Sequence, residues 1–225
     1  MLAKITRPVF FAYTYLSMVR NPNQLDNVFD LIDRLDDLND GTVPADLAQR
    51  PAIRSFLAQP YKKIEIDPDA LATLPLGTLG RTYADWMRQR GLSPRSLREK
   101  SGDNELARLR NHAVVTHDIW HVVTGFDTDV AGEAGLQAFY LAQNGGGIPL
   151  ALMSAIMLNT LIYAVEDGDR RMNAIVRGWT LGKRCQPLFG TDWTELWETP
   201  LDDVRSQFAI DDLPPNQLSV GHAAA

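Results

Sequence analysis

Apolar residues recur along most of this chain at intervals of three and four positions, which is the spacing of amphipathic helices. Alternation of β-branched residues with polar ones is almost absent, and Gly, Pro and capping residues separate the apolar stretches. The pattern predicts an all-α, single-domain fold of about eight to nine helices. The predicted helices span 4–20, 23–37, 44–58, 79–90, 103–124, 129–144, 149–166, 168–186 and 200–208.

Two segments fall outside this helical pattern. Residues 62–66 (KKIEI) alternate polar and apolar side chains, which predicts a short strand or an extended segment. Residues 211–225 contain a Pro pair and small or polar residues, so we expect a flexible C-terminal tail. The sequence is therefore divided into a helical domain at 1–210 and a tail at 211–225.

The helix predicted at 103–124 carries two histidines on its apolar face. Ser101 or Asp103 is available to cap its start, and Gly125 can end it in a left-handed conformation. The inward positions, spaced three or four apart, are Leu106, Leu109, Ala113, His117, Trp120 and His121. Both histidines thus continue the face that packs into the protein.

A second helix is predicted after the loop 126–128, with Asp127 or Thr128 as its cap. Gly132 and Gly135 permit close approach of another helix backbone. One face of this helix carries Val130, Glu133, Ala134, Gln137 and Leu141. Glu133 is therefore expected to point inward as well.

The two helices together offer a metal site. His117 and His121 lie one turn apart on one face, Asp118 lies on the flank of that face, and Glu133 returns from the opposite side. Two imidazoles with carboxylates suit Zn²⁺, Fe²⁺ or Mn²⁺, and Mg²⁺ is not excluded. We predict that these four residues bind a divalent metal between adjacent helices.

The alternative is a hydrogen-bonded polar cluster in which Asp118 pairs with a histidine. Burial of four ionisable groups without a metal or full pairing would be costly, which favours the metal. A zinc protease is disfavoured because its motif has Glu where this chain has Asp118. Asp127 and Asp129 lie at a helix start and are expected to act as caps.

The motif, His-Asp-x-x-His followed by eleven residues and Glu, resembles the marker of the Coq4 family of ubiquinone-biosynthesis proteins. The resemblance covers about residues 10–208 and is clearest over 79–150. Further matching segments are Leu79-Gly80-Arg81-Thr82-Tyr83-Ala84, Asn144-Gly145 with Pro149, and, as in bacterial members, Asp192-Trp193, Trp197 and Pro200-Leu201.

The resemblance implies an all-helical, commonly dimeric protein with zinc or another divalent ion on the four motif residues. It implies contact with a polyprenylated benzoate or quinone and with other quinone-biosynthesis enzymes. In mitochondrial members, the role is to organise the biosynthetic complex and, by implication, to remove the C1 carboxyl group oxidatively. Because no transit or signal peptide is recognisable at residues 1–20, we expect a cytoplasmic bacterial protein.

The most apolar stretch, 148–165, predicts a helix buried in protein, and polar interruptions make a membrane span less favoured. Its apolar circumference also permits a slot for an isoprenoid tail, in which methionines pack adaptively. The lipid-contact residues expected in that case are Met153, Ile156, Met157 and Tyr163.

The composition and the net charge limit the classes of molecule that this protein is expected to bind. The net charge of −6 and the pI near 5.2 provide no basic field for phosphate backbones, which excludes nucleic acid. The single Cys185 excludes an internal disulfide. A basic group on helix 168–186 is expected to be a solvated face, or a peripheral contact with anionic lipid: Arg170, Arg171, Arg177, Lys183 and Arg184.

Three function classes remain open on the sequence alone. In an enzyme, the metal would act as a Lewis acid on the carboxylate or phenolate oxygen of a substrate. In a lipid-binding scaffold, the metal would be structural. In an interaction protein, Trp179, Trp193 and Trp197 would form a partner or dimer surface, although tryptophan more commonly anchors a core.

Overall fold

The computed structural model describes residues 2–94 and 97–210, with side chains described from residue 8 onward. Within these residues the chain forms eleven α-helices and no β-strand, which confirms the all-α prediction. The helices are α1 (Leu2–Arg20), α2 (Leu25–Leu38), α3 (Ala45–Ala48), α4 (Pro51–Ala58), α5 (Pro68–Leu71), α6 (Leu79–Arg90), α7 (Glu105–Thr124), α8 (Val130–Asn144), α9 (Gly147–Tyr163), α10 (Gly168–Arg184) and α11 (Leu201–Gln207).

The helix predicted at 44–58 is divided into α3 and α4. Arg50 has an extended backbone, and Pro51 begins the new helix at a position where its missing N–H is harmless. The short α5 was not predicted; the side chain of Asp67 caps it by accepting from the N–H of Asp69 at 3.1 Å. Residues 62–66 are extended without strand pairing, and the predicted tail at 211–225 lies outside the described residues.

Two hydrophobic clusters hold most helices together. The larger one includes Ile119 and Trp120 of α7, both fully buried, together with residues of α4, α6, α8 and the C-terminal segments. The smaller one joins α1, α2 and α9 through Met18, Leu31 and Leu152. Full burial of such side chains stabilises the fold by about 1.5–3 kcal/mol each, so α7 is held firmly on its inner side.

Helices α8 and α10 pack with their backbones in near contact. A Cβ on Gly178 would lie 1.9 Å from the carbonyl oxygen of Gly135, and a Cβ on Gly182 would lie 2.9 Å from that of Phe139. The close approach expected at Gly135 is therefore made by α10. Gly132 instead faces the backbone of Asp127 in the preceding loop, where a Cβ would lie 1.9 Å from its oxygen.

The prediction that the apolar stretch 148–165 forms a helix buried in protein holds for only one face of α9. Its inner face is covered, but Leu161 is 71% exposed and Tyr163 is 58% exposed. An apolar circumference shows that a helix avoids water without showing what covers it. In the part of the chain that the structure describes, no helix combines the length and apolarity needed to cross a bilayer.

The basic residues of α10 do not form one solvated face. Arg171 is 6% exposed and binds Asp167, while Arg170 binds both Asp167 and Asp129. The guanidinium of Arg177 donates to the carbonyl of Thr124 at 2.8 Å. These arginines therefore fasten α10 to its neighbours. Of the three tryptophans named above, Trp193 is fully buried, Trp197 partly buried, and Trp179 44% exposed.

Candidate metal centre

Helix α7 presents the two histidines at its C-terminal end. Asn104, rather than Ser101 or Asp103, caps its start by accepting from the N–H of Ala107 at 2.8 Å. Gly125 ends it with φ +71°, as predicted, and its N–H donates to the carbonyl of His121. The helix thus runs without interruption through the His-Asp-x-x-His segment.

Helix α8 begins at Val130, which places Glu133 in its first turn. The cap is Asp129, which accepts from the N–H of Gly132 at 2.8 Å. This confirms the expectation that Asp129 acts as a cap, whereas the prediction of Asp127 or Thr128 as the cap is wrong. Asp127 instead forms an ion pair with Arg90 of α6 at 2.8 Å. Both Asp127 and Asp129 are thus engaged with other groups, and the sequence also disfavoured them as ligands.

The structure brings the predicted ligands together. The Nε2 atoms of His117 and His121 lie 3.2 Å apart. The two carboxylate oxygens of Glu133 lie 3.5 Å from Nε2 of His117 and 3.1 Å from Nε2 of His121. One donor atom each from His117, Asp118 and His121 lies within 4.8 Å of the others. The two imidazoles therefore lie close to the Asp118 carboxylate on the same helix and close to the Glu133 carboxylate on α8.

The ring of His121 is fixed from behind. Its Nδ1 lies 3.0 Å from the carbonyl oxygen of Phe126, which can only accept, so Nδ1 carries the proton. The ring of Trp86 stacks on the imidazole at 5.6 Å. This arrangement leaves Nε2 of His121 directed at Glu133 and His117, as in histidines whose outer nitrogen is held while the inner one binds metal.

Electrostatics couple the four groups. Burial raises the pKa of Glu133, but the charges and hydrogen bonds of His121 and His117 outweigh that effect and hold it well below its ordinary value. Burial lowers the pKa of His117, but the hydrogen bond and charge of Glu133 outweigh it and raise the pKa. Burial raises the pKa of Asp118, with partial compensation by the histidines. A cation bound here would therefore stabilise the charged form of the Asp118 carboxylate, which burial disfavours.

The centre is closed on the inside and open on one side. The side chain of His121 is fully buried, whereas those of His117 and Glu133 are 29% and 30% exposed. Neutral imidazoles and carboxylates are the donors that Zn²⁺, Fe²⁺ and Mn²⁺ accept, so the residues present fit a divalent ion. An open side is typical of sites that also admit water or a substrate.

Two tyrosines with buried hydroxyls next to the centre were not predicted as site residues. Neither the hydroxyl of Tyr83 nor that of Tyr140 has a hydrogen-bond partner among the described residues. Burial and the negative charge of Asp118 raise the pKa of both phenols. A signal for Tyr83 existed in the sequence, because it lies within the LGRTYA segment upstream of the motif.

His112 lies one and a half turns before His117 and has a different role. It is 4% exposed and packs against Phe56 and Phe189, with ring centroids at 4.6 and 4.9 Å. Its Nε2 accepts from the N–H of Gly190 at 3.1 Å, and burial lowers its pKa to about 4. It is a neutral core histidine that ties the segment after α10 to α7.

This burial predicts a pH dependence of stability. The folded pKa of His112, about 4, is below the unfolded value of 6.5, so the unfolded chain binds more protons between these pH values. Stability from this residue is complete above pH 6.5 and is lost as pH falls, by about 2 kcal/mol at pH 5. Urea denaturation of the metal-free protein at pH 7 and pH 5 measures the loss.

The matched comparison is His112→Gln, because the glutamine oxygen can still accept from Gly190. The variant should lose about 2 kcal/mol less than the parent between the two pH values. Equal losses in both proteins would show that His112 is not the group that titrates.

The expected lipid-contact residues do not share one surface. Ile156 is 2% exposed and packs with Val130 and Ala134, whereas Met157 and Tyr163 are 36% and 58% exposed. Met153 is partly exposed. Lipid contact stays a prediction for all four residues, of which Ile156 is buried and the other three are at least partly exposed.

Comparison with known proteins agrees with the motif. Residues 38–214 match the family described as "Coenzyme Q (ubiquinone) biosynthesis protein Coq4". "Ubiquinone biosynthesis protein COQ4, mitochondrial" of Eremothecium gossypii is 30% identical over 156 residues, which are 68% of this chain and 47% of that protein. Its counterpart in Aspergillus niger is 31% identical over 188 residues, 81% of this chain and 60% of that protein. The chain spans about half the length of the curated relatives it matches.

A solved structure supports the same conclusion. A protein of Nostoc punctiforme PCC 73102, provisionally assigned to ubiquinone biosynthesis, superposes with a TM-score of 0.76 at 30% sequence identity. The superposition covers 91% of this chain and 98% of the other. On the profile match, the sequence identities and the shared fold, the chain belongs to the Coq4 family of coenzyme Q (ubiquinone) biosynthesis proteins.

Proposed function

We propose that this chain binds one divalent metal ion through His117, Asp118, His121 and Glu133 and acts on a polyprenylated hydroxybenzoate in ubiquinone biosynthesis. The proposed step is oxidative decarboxylation at C1 of the ring: the bond from C1 to the carboxyl carbon breaks and CO₂ leaves, C1 gains a hydroxyl whose oxygen comes from O₂, and two electrons from an external reductant reduce the other oxygen atom to water. The observation that carries the proposal is the convergence of both imidazole Nε2 atoms and the Glu133 carboxylate within 3.1–3.5 Å of one another.

When bound, the metal supplies Lewis-acid polarisation of a substrate oxygen. The residues around it have separate tasks. His121, held by the carbonyl of Phe126, provides the rigid ligand, while the partly exposed His117 and Glu133 face the side from which a substrate would enter. Asp118 adds a second carboxylate, so that two negative charges balance the two positive charges of the ion.

A prenyl chain requires an apolar surface. We propose that the exposed apolar residues of α9, including Met157 and Tyr163, contact the isoprenoid chain or the surface of a membrane. Methionine and tyrosine suit such a contact because the first packs adaptively and the second combines an apolar body with a polar tip.

The alternative is a non-catalytic scaffold with a structural metal. It is favoured by the exposed apolar residues on three helices, because such patches commonly mark protein–protein interfaces. In this case a second copy of the chain and other quinone-biosynthesis enzymes would cover them. The residues are Val9, Phe10, Tyr13 and Leu16 of α1, Leu161, Ile162 and Tyr163 of α9, and Met172, Val176 and Trp179 of α10.

One experiment tests the proposal and separates the two forms. Protein is loaded in turn with Zn²⁺, Fe²⁺ and Mn²⁺, and elemental analysis is expected to give one ion per chain. The loaded protein then receives a prenylated 4-hydroxybenzoate labelled with ¹³C in the carboxyl group, together with O₂ and a reductant. Labelled CO₂ supports the enzyme, an ion without turnover supports the scaffold, and absence of any bound ion contradicts both.

A further inference from the structure

We propose that Tyr83 is a positioning residue for the metal centre: its hydroxyl donates a hydrogen bond to the Asp118 carboxylate when an ion is bound. One carboxylate oxygen is thereby held by the phenol, which leaves the other for the ion. This inference rests on the proposed metal site and deepens it.

The first observation is the isolation of the Tyr83 hydroxyl. The side chain is fully buried, and its oxygen has no hydrogen-bond partner among the described residues. The ring is held in place by Trp197, whose centroid lies 5.7 Å away. Buried hydroxyls without partners are rare because they lose their bonds to water and gain none in return. Such a group indicates an acceptor that becomes available in the functional state.

The second observation is the alignment of α6 with α7. Trp86 of α6 stacks on His121 of α7, and Arg90, one turn later, binds Asp127 just beyond the end of α7. The two helices therefore run side by side in the same direction over this region. One turn before Trp86 is Tyr83, and one turn before His121 is Asp118. The alignment places Tyr83 and Asp118 at the same level of the two helices.

The third observation is that Asp118 lacks the support that the other ligands have. His121 is held by the Phe126 carbonyl, and the Glu133 carboxylate lies 3.5 Å from Nε2 of His117 and 3.1 Å from Nε2 of His121. Among the described residues, no group donates a hydrogen bond to the carboxylate of Asp118. Ligating carboxylates are usually hydrogen-bonded on the oxygen that the metal does not use. Tyr83 supplies the missing donor.

The electrostatics agree with this placement. Burial raises the pKa of Tyr83, and the negative charge of Asp118 raises it further. Tyr140 experiences the charges of both Asp118 and Glu133, and its ring is stacked between Trp120 and His117. Tyr140 is therefore the competing donor.

The test is Tyr83→Phe, which removes one oxygen and keeps the ring. Zn²⁺ affinity is measured by competition with a chromogenic chelator and is expected to fall about tenfold. The absorption spectrum of the Co²⁺-loaded protein should change, because it reports ligand geometry. The melting temperature of the metal-free variant should be equal to that of the parent or higher, since an unpartnered hydroxyl has been removed.

Controls make the result specific. Tyr15→Phe removes a hydroxyl that binds Ser154 away from the centre, and it should leave Zn²⁺ affinity unchanged. In a double-mutant cycle, Tyr83→Phe should have no further effect on Zn²⁺ affinity once Asp118→Ala, which removes the acceptor, is present. If the effects of the two substitutions on Zn²⁺ affinity simply add, the proposal is wrong.

Other outcomes also decide the matter. If Tyr83→Phe lowers the melting temperature of the metal-free protein and leaves Zn²⁺ affinity intact, the hydroxyl has only a structural role. If Tyr140→Phe alone weakens Zn²⁺ binding, Tyr140 is the donor and the proposal is wrong. If the parent protein binds no ion at all, the proposed function itself fails, which is a distinct result.

Discussion

Replacing His121 with alanine is expected to weaken binding of Zn²⁺ or Mn²⁺ by more than about 100-fold, because outer partners of ligands alone cost 10–100-fold. His121 is the most rigid of the four groups: its side chain is fully buried, and the Phe126 carbonyl and the Trp86 ring fix its orientation. Its removal also leaves Glu133 with only one imidazole partner. Isothermal titration of each metal into the apo-protein measures the loss.

His112→Gln is the matched control for this prediction. It also removes a histidine from α7, but from a position where the ring packs against Phe56 and Phe189 rather than facing Glu133. The control should retain metal affinity within about twofold. Retention of tight binding by the His121 variant, with circular dichroism showing a folded protein, would mean that the metal lies elsewhere or is not bound by this chain.

Gly178→Ala is expected to reduce the free energy of unfolding by at least about 3 kcal/mol, at the upper end of overpacking costs. The new Cβ would lie 1.9 Å from the carbonyl oxygen of Gly135, which is backbone and cannot rotate aside. Helices α8 and α10 must therefore separate. Because Glu133 lies two residues before Gly135 on α8, metal affinity should fall as well. Urea denaturation and metal titration measure the two effects.

Gly147→Ala is the matched control for the helix contact. Gly147 is the first residue of α9, and a Cβ there would meet no heavy atom within 4 Å. Alanine is also the better helix former, by about 1 kcal/mol in a helix interior. The control should be as stable as the parent or more stable. If Gly178→Ala behaves in the same way, the two helices are less tightly packed than their glycines indicate.

The relative placement of the proposed ligands could be predicted from sequence because it depends on local spacing. The i, i+4 separation of His117 and His121 fixes both rings to one face of any helix, and five residues of loop return the chain directly to Glu133. Cap residues were harder to assign, because adjacent polar residues compete for the same position. Asn104 caps α7 although Asp103 precedes it, and Asp129 caps α8 although Asp127 and Thr128 precede it.

Features that depend on long-range packing could not be predicted. Gly135 signalled a close approach, but only the fold identifies Gly178 as its partner. The apolar circumference of α9 looks the same in sequence whether protein, lipid or another chain covers it. Arg171 looked like a solvent-exposed residue in the sequence. Its burial depends on tertiary packing against Asn159 and Thr160 of α9, to which its guanidinium donates hydrogen bonds, as it does to Asp167 in the segment that follows α9.

All four proposed ligands lie on α7 and α8, and only five residues join these two helices. An ion bound there would close a loop of 17 residues, from position 117 to position 133. Closing so short a loop costs little chain entropy, and each doubling of loop length adds only about 0.6 kcal/mol. We therefore expect α7 and α8 to bind the ion early in folding, before α1, α2 and α9 have assembled. The remaining helices would then pack against the metal-bound pair.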